Sequence, residues 1–333
     1  MSTESPSPGA VSRLVEAATA APSLHNAQPW RFRWLADRGL LELRAAMDRC
    51  LPHSDPHGRA LHMGCGAALF NLRAAAAEAG WWPACQVLPD PYDPRLLATV
   101  RLGRPPAEPD PPAEPDAARA AELAALSGLA GEIRRRHTSR QPYSAERVPD
   151  PVRAELRAAA EREGGQLLFA SPWHATAVLE LAGDAEGRDY ADPGRLTELA
   201  GWTELPDPDT PTGDQAHQPA PVRDFAGRRA PTGREPAGAE GPPPQLALLS
   251  TAEDRPADWV RAGQALERVL LVATAHRLSA SVSSESLAWS ALGWTARDPL
   301  VPAGQVHAVL RLGYGAPAPA TPRLPTHQVL DLR

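Results

Sequence analysis

The sequence predicts an α+β protein made of two halves that repeat one another. Segments with helical and strand periodicity alternate along the 333 residues, and a proline-rich stretch at 104–116 divides them. The strand-like sequence ATVRLG returns later as AVLRLG, and in each half a helix containing Gly-x-Ala-Leu, at Gly66 and at Gly263, precedes it. Two short matches can arise by chance in a chain rich in Ala, Leu and Arg. We nevertheless expect an internal duplication, in which one chain rebuilds an obligate dimer.

The first half is predicted to span 11–103, after a Ser- and Pro-rich tail at 1–10 that we expect to be disordered. Small apolar residues at helical spacing predict the first helix, which Pro22 ends because proline lacks the backbone N–H that a helix needs. Periodicity predicts two helices and three strands: helices Val11–Ala21 and Gly66–Gly80, and strands Leu40–Arg44, Ala84–Leu88 and Leu97–Leu102.

The second half is predicted to span 117–333. The segment RPPAEPDPPAEPD at 104–116 reads as a linker, since its prolines can support neither a helix nor a sheet ladder. Residues 192–244 are rich in Pro, Gly and Asp and read as a mobile lid or disordered insert. The predicted elements are helices Ala117–Arg135, Pro151–Glu163, Trp173–Leu181 and Pro256–Leu278, and strands Gln166–Ala170, Gln245–Ser250 and Val306–Leu312.

Composition excludes several classes of function. The net charge of −6, without a long basic block, argues against nucleic acid as a partner. The chain contains no Lys, so a phosphate clamp must use Arg, His, hydroxyls and backbone N–H groups. Three Cys without a Cys-x-x-Cys spacing, no leader and no apolar run of membrane length lead us to expect a cytoplasmic protein with no membrane contact.

Two polar segments carry chemistry. The first, PSLHNAQPW at 22–30, can aim hydroxyl, amide and backbone groups at a planar polar ring, although its composition alone favours a turn followed by an edge strand. In the second, RRHTSRQPY at 135–143, Arg136, Thr138 and Arg140 stand at i, i+2 and i+4. In an extended loop these side chains would face the same way and suit a phosphate, whereas the alternative is a solvated basic helix end.

The order Ser-x-x-Asn-x-Gln-Pro-Trp together with Arg-x-[Ser/Thr]-x-[Arg/Lys] resembles the FMN-dependent nitroreductases. The C-terminal TPRLP at 321–325, soon after a strand that ends in Gly313, looks like the family's closing phosphate-binding element. Ordinary members are shorter and carry the two motifs in the opposite order. The order here resembles the fused, dormancy-associated Acg-type branch, as do the patterns RALHMGCGAALFNLR from Arg59 and AGQALER from Ala262.

The resemblance implies a nitroreductase fold, internally duplicated, that binds one FMN per chain. It places the flavin phosphate on Arg136, Thr138, Arg140 and Arg323, with His137 as a neighbour. From the other half, Pro22, Ser23 and Asn26 would line the ring system. The loop Val282–Glu285, in which Ser284 and Glu285 are the candidate residues, corresponds to the family's approach to flavin N5, although its sequence departs from the usual one.

The cluster of Cys50, His53, His57, His62 and Cys65 suggests a zinc site, but its spacing matches no zinc motif. We therefore expect no metal. GCGAAL at 64–69 lacks the third glycine of a dinucleotide fingerprint and follows no hydrophobic strand, which argues against that motif.

By resemblance, NAD(P)H would reduce FMN, and a nitro compound, a quinone or a related small molecule would accept the electrons. Hydride transfer at flavin N5 demands no acid–base side chain, so we expect no catalytic residue. Two alternative functions remain open: an FMN store closed by the 192–244 insert, and a dedicated biosynthetic oxidation. The solution state is also open, and is either a monomer with an internal pseudo-dimer or a weak dimer.

Overall fold

The architecture is given by a computed structural model of the chain, which describes residues 5–103, 114–139, 143–203, 245–283, 304–316 and 320–333. Its helices are α1 (Pro8–Thr19), α2 (Arg59–Glu78), α3 (Glu114–Ala130), α4 (Asp150–Arg162), α5 (Pro172–Ala191), α6 (Pro193–Thr203), α7 (Pro256–Ala275) and α8 (Thr326–Val329). Its strands are β1 (Trp30–Leu35), β2 (Leu40–Ala45), β3 (Trp82–Val87), β4 (Leu96–Gly103), β5 (Gln166–Phe169), β6 (Gln245–Thr251), β7 (Ser279–Ser283), β8 (Gln305–Gly313) and β9 (Leu330–Leu332). The predicted α+β class is confirmed.

The strands form two sheets with matching order. The first runs β3-β4-β2-β1-β9 and the second runs β5-β6-β8-β7. All neighbours are antiparallel except β9, which pairs parallel to β1. When the second sheet is followed from its β7 end, the two orders match. In each half the third, fourth, second and first strands of the chain lie side by side. The ladder slips once between Leu43 and Arg44 on β2, and once between Leu249 and Ser250 on β6. These are the features expected of a repeated half.

The long helices α2 and α7 pack against each other between the two halves. Glycines allow their backbones to touch: a β-carbon on Gly66 would overlap the carbonyl oxygen of Val260, and one on Gly263 would overlap that of Met63. Each helix also contributes to its neighbour's core, since Val260 of α7 packs in the first core and Met63 of α2 packs in the second. Only glycine permits so close a crossing.

Apolar burial explains how each sheet is covered. β1 alternates between buried and partly exposed residues, as expected for a sheet with one covered face. β8 is buried almost throughout, because α5 packs its apolar side on the second face of the second sheet. Helix α3 packs mainly on α2 through Leu126 and Ala130. The two halves therefore share a continuous helical layer.

Several boundaries differ from the sequence predictions. Helix α1 begins at Pro8, inside the predicted tail, because Ser7 caps it by accepting a hydrogen bond from the Ala10 N–H. Helix α3 begins at Glu114, inside the predicted linker, since Pro115 falls in the first turn, where proline is tolerated. The predicted insert begins with helix α6. Residues 104–113 and 204–244 lie outside the described residues.

The C-terminus returns to the first half, since β9 extends the sheet beyond β1. β1 is therefore an internal strand, not the edge strand that the composition of 22–30 favours. Across the described ranges, no helix is long and apolar enough to cross a membrane.

Candidate functional site

The loop after α1 has an unusual backbone. Residues Leu24–Asn26 form one turn of 3-10 helix, and His25, Asn26 and Gln28 have positive φ values of 52°, 56° and 51°. Residues other than glycine rarely adopt this backbone conformation, and each one that does lowers the stability of the fold by roughly 1–3 kcal/mol. The Ser23 hydroxyl stabilises the loop by accepting a 3.0 Å hydrogen bond from the Gln28 N–H. Strain of this kind is typical of ligand-binding loops.

The C-terminal segment holds the same loop. Asn26 Nδ2 donates to the Pro322 carbonyl at 3.0 Å, and its Oδ1 accepts from Arg323 Nη1 at 3.1 Å. The Leu324 N–H donates to Gln28 Oε1 at 2.8 Å. The structure thus brings together two of the site residues predicted from opposite ends of the sequence, Asn26 and Arg323.

Arg323 also closes the C-terminus of α1. Its guanidinium donates to the carbonyl oxygens of Thr19, Ala20 and Ala21 at 2.9, 3.2 and 3.1 Å. A cation is favoured there because the last carbonyls of a helix lack intrahelical donors. Burial and the neighbouring charge of Arg136 lower the pKa of Arg323 to about 10.

Arg136 approaches the same point from α3. Its backbone N–H donates to the Glu132 carbonyl at 2.9 Å, so it belongs to the turn that extends α3 and not to an extended loop. The side chain is only 4% exposed. Its Nη2 donates to the Ala20 carbonyl at 3.0 Å, and its Nε lies 3.4 Å from the carboxylate of Glu267 on α7. Two guanidiniums therefore converge on one carbonyl oxygen.

A cavity of about 520 Å³ lies beside these arginines. Its lining includes Arg136, His137 and Arg323, together with backbone from the end of α1. Arg134 and Glu16 also line it and form an exposed ion pair at 2.7 Å. The cavity therefore has a cationic inner side.

The i, i+2, i+4 spacing predicts that Thr138 shares the environment of Arg136. In the structure the two residues lie in different environments. Thr138 is exposed and forms a parallel bridge with Ala280 of β7, and the next N–H, that of Ser139, donates to the Ala280 carbonyl at 2.8 Å. Arg136 still lies in helical turns, so the two-residue alternation of an extended chain does not apply between these two residues. The role of Thr138 at a phosphate stays a prediction.

The flavin N5 loop predicted at 282–285 is only partly described. Val282 and Ser283 are the last residues of β7, paired with Leu310 and Val309, so they form a strand and not a loop. Arg140, Ser284 and Glu285 lie outside the described residues.

The suspected zinc residues have other partners. Cys65 is buried and its thiol donates to the Pro29 carbonyl, while His62 Nδ1 lies 2.6 Å from the Gly58 carbonyl. Within the described ranges, no three His, Cys, Asp or Glu side chains are grouped so as to hold a metal ion.

Helix α6 lies against the loop that contains the candidate site. The Glu198 carboxylate accepts the backbone N–H groups of His53 and Ser54 at 3.1 and 2.9 Å. The Ser54 hydroxyl is 3.2 Å from His25 Nε2. The sequence predicts a lid in this region without predicting either contact.

Glu267 is the functional candidate that the sequence reasoning missed. It is fully buried on α7, and burial raises its pKa against the opposing effects of Arg136, Asn71 and Arg323. Its neighbours one turn away in the sequence, Gly263 and Leu271, could have indicated burial but not a role. Residues 262–271 of α7 are buried on all sides of the helix, and a buried carboxylate rarely lacks a partner.

Comparison with known proteins shows to which family the chain belongs. No family model matches it. A protein of Mycobacterium tuberculosis (strain ATCC 25618 / H37Rv) named "Putative NAD(P)H nitroreductase Rv3131" is 34% identical over 344 aligned positions, covering 99% of this chain and 94% of the relative. From the same strain, "Putative NAD(P)H nitroreductase acg" is 28% identical over 338 positions, covering 97% and 96%.

Among solved structures, the nitroreductase with bound FMN from Bacteroides fragilis NCTC 9343 is similar with a TM-score of 0.36 and 14% identity, covering 59% of this chain and 92% of that one. The identity to Rv3131 extends over nearly the whole of both sequences. The chain therefore belongs to the nitroreductase family, in which it resembles Rv3131 and Acg.

Proposed function

We propose that this chain is an FMN-dependent NAD(P)H oxidoreductase that holds one FMN between its halves. We propose a small conjugated molecule, such as a nitro compound or a quinone, as electron acceptor. The observation that carries the proposal is the convergence of Arg136 and Arg323 on the Ala20 carbonyl, beside the cavity and next to Asn26.

The residues fit the phosphate end of FMN. Among the described residues, Arg136 Nε is a buried donor without a hydrogen-bond partner, which is the kind of group that a phosphate oxygen satisfies. Arg323 would have to exchange some of its carbonyl partners for the phosphate. Thr138 and Arg140 would complete this end, with His137 beside it. Burial and the charges of Arg136 and Arg323 lower the pKa of His137, so it would act as a neutral neighbour near pH 7.

Pro22, Ser23 and Asn26 would line the ring system from the other half, and Ser284 and Glu285 would approach its N5 edge. When bound, FMN supplies hydride chemistry, accepting electrons from NAD(P)H and passing them to the acceptor. The chain's own share is to bind and orient the flavin and to exclude water from it. No acid–base side chain is assigned to the reaction.

The proposal is tested with flavin-loaded full-length protein. Anaerobic addition of NADPH or NADH should bleach the flavin absorbance, and an acceptor such as a nitroarene should restore it. Arg136→Gln should raise the Kd for FMN roughly 10- to 100-fold, since a hydrogen bond to a charged group contributes about 1.5–3 kcal/mol. Arg135→Gln, an exposed arginine in the same segment but outside the cavity lining, is the matched control. Absence of bleaching with either nucleotide would refute oxidoreductase activity.

A second candidate, FMN storage with little turnover, is favoured by the contact of α6 with the loop. Glu198 caps two backbone N–H groups next to Ser54, and the start of α6 packs so tightly that a β-carbon on Gly194 would overlap the ring of His53. A helix fixed there would restrict access of a hydride donor to the flavin edge.

Glu198→Ala separates the two candidates. Under storage, loss of the two charge-assisted hydrogen bonds should speed flavin reduction by NADPH at least tenfold. The matched control is Glu180→Ala, an exposed glutamate on α5. Equal reduction rates in both variants and the wild type would eliminate the storage candidate in favour of open turnover.

We propose that the two halves form an internal pseudo-dimer and that the chain acts as a monomer or a weak dimer. The shared strand order and the reciprocal glycine crossing of α2 and α7 support this proposal. Light scattering across a hundredfold concentration range should give the monomer mass at the dilute end; a dimer that persists there would contradict it.

A further inference from the structure

Glu267 is a buried carboxyl group directly behind the candidate phosphate site. It is 0% exposed, and its closest cation is Arg136, with 3.4 Å between Oε1 and Nε. Within the described part of the chain, neither of its oxygens has a hydrogen-bond partner. The desolvation of a charge in this position is offset chiefly by the attraction of the nearby cations, and it is costly unless that attraction is strong.

The charged and polar groups that face Glu267 come from three other elements. Arg136 follows α3, Arg323 lies in the C-terminal segment, and Asn71 on α2 contributes an amide without well-formed hydrogen-bond geometry. The next residue on α7, Arg268, is engaged elsewhere, with Glu163 and Glu122 at 2.7 Å. Glu267 therefore faces the arginine pair as the acidic member of this group.

An incoming phosphate changes this balance. Two guanidiniums and one carboxylate leave one net positive charge, and a phosphate dianion makes the group net negative unless a proton enters. The arginines would then turn toward the phosphate, and the carboxylate would lose the attraction that offsets its desolvation. Burial already raises the pKa of Glu267, so weaker attraction raises it further.

We propose that Glu267 takes up one proton when the phosphate of FMN binds to Arg136 and Arg323, which makes it a positioning residue that couples flavin affinity to pH. The inference rests on the proposed function. The carboxylate gains a proton from solvent, and no other bond changes.

The direction of the pH effect follows from linkage. The carboxyl group loses its proton at a lower pH in the empty site than in the loaded site, so binding takes up a proton between those two pKa values. In that interval the Kd for FMN rises with pH, at most tenfold per pH unit for one proton. The flavin phosphate has its own second pKa near about 6, which acts in the opposite direction below that value.

The test follows FMN release on dilution of the flavin-loaded full chain from pH 6.5 to 9, read as recovered flavin fluorescence. The wild-type Kd should rise at least fivefold across this range, whereas Glu267→Gln should change less than twofold. Glu78→Gln, an exposed glutamate at the end of α2 and outside the cavity lining, is the matched control and should keep the wild-type slope. Riboflavin, which lacks the phosphate, should show no slope with the wild-type protein.

A flat wild-type profile overturns the inference, as does an unchanged slope in Glu267→Gln or an equal slope with riboflavin. If Glu267→Gln does not fold, the FMN and riboflavin slopes are compared in His137→Gln, which removes the other titratable side chain beside the two arginines; a slope with FMN that disappears in this variant overturns the inference. A wild-type chain that binds no FMN at any pH refutes the proposed function itself and this inference with it.

Discussion

Replacing Gly66 by Ala tests how closely α2 and α7 must cross. The added β-carbon would overlap the Val260 carbonyl and come within 3.1 Å of the Gly263 Cα, so it meets backbone and not a side chain that can rotate away. Overpacking of this kind typically costs about 1–3 kcal/mol, and a backbone obstacle places Gly66→Ala near the upper end. The gain from helix propensity, about 1 kcal/mol, offsets only part of this.

The assay is thermal unfolding followed by circular dichroism, with flavin retention measured on the same samples. A net loss of about 2 kcal/mol should lower the midpoint by roughly 3 °C in a chain of 333 residues. Gly128→Ala on α3 is the matched control, because a β-carbon there meets nothing within 4 Å, and it should be neutral or slightly stabilising. A Gly66→Ala midpoint at or above the wild-type value would refute the close crossing.

Three further predictions concern the loop, a buried histidine and an ion network. Ser23→Ala removes the acceptor of the Gln28 N–H in the strained loop and should weaken FMN binding about fivefold in a fluorescence titration, with unchanged affinity as the contrary result. Burial lowers the pKa of His307 to about 4 in the folded protein, whereas the unfolded chain has the ordinary value of about 6.5. Its contribution to the free energy of unfolding is therefore fully present above about pH 6.5, where the histidine is neutral in both states. That stability should be lost as pH falls toward 4, and urea unfolding of His307→Gln should show a flatter profile between pH 7 and 5; an identical profile would contradict this. Arg268→Met removes a buried cation from Glu122 and Glu163, although Arg73 still bonds Glu163 at 2.6 Å, and should cost about 1–3 kcal/mol in urea unfolding. The exposed Arg135→Met should change the free energy of unfolding by less than about 0.5 kcal/mol; equal effects would refute the network's importance.

Most of the helices and strands could be predicted from the sequence, because apolar periodicity marks the residues that face the core. β2 starts at the predicted Leu40, and β6 at the predicted Gln245. The three-residue strand β9 could not be found in this way, since it exists only by pairing with β1, whose register is set by the fold. Likewise, Pro115 disrupts a helix interior but not a first turn, and composition cannot tell the two apart.

At the candidate site, the family resemblance predicted Asn26 and Arg323 as flavin-binding residues, and the structure brings their side chains to 3.1 Å. The role of Glu267 was beyond sequence reasoning because it depends on the crossing of α7 with α2 and on the approach of Arg136 from α3. The contact of Glu198 with the backbone N–H groups of His53 and Ser54 was equally hidden, since backbone donors leave no trace in the sequence.

The central claim is that two halves of one chain build a single flavin site. Its most direct measurement is the amount of FMN released when protein purified from cells is denatured, divided by the amount of chain. One FMN per chain is the predicted result. Two per chain would contradict the single shared site, and none, even after incubation with FMN, would contradict flavin binding altogether.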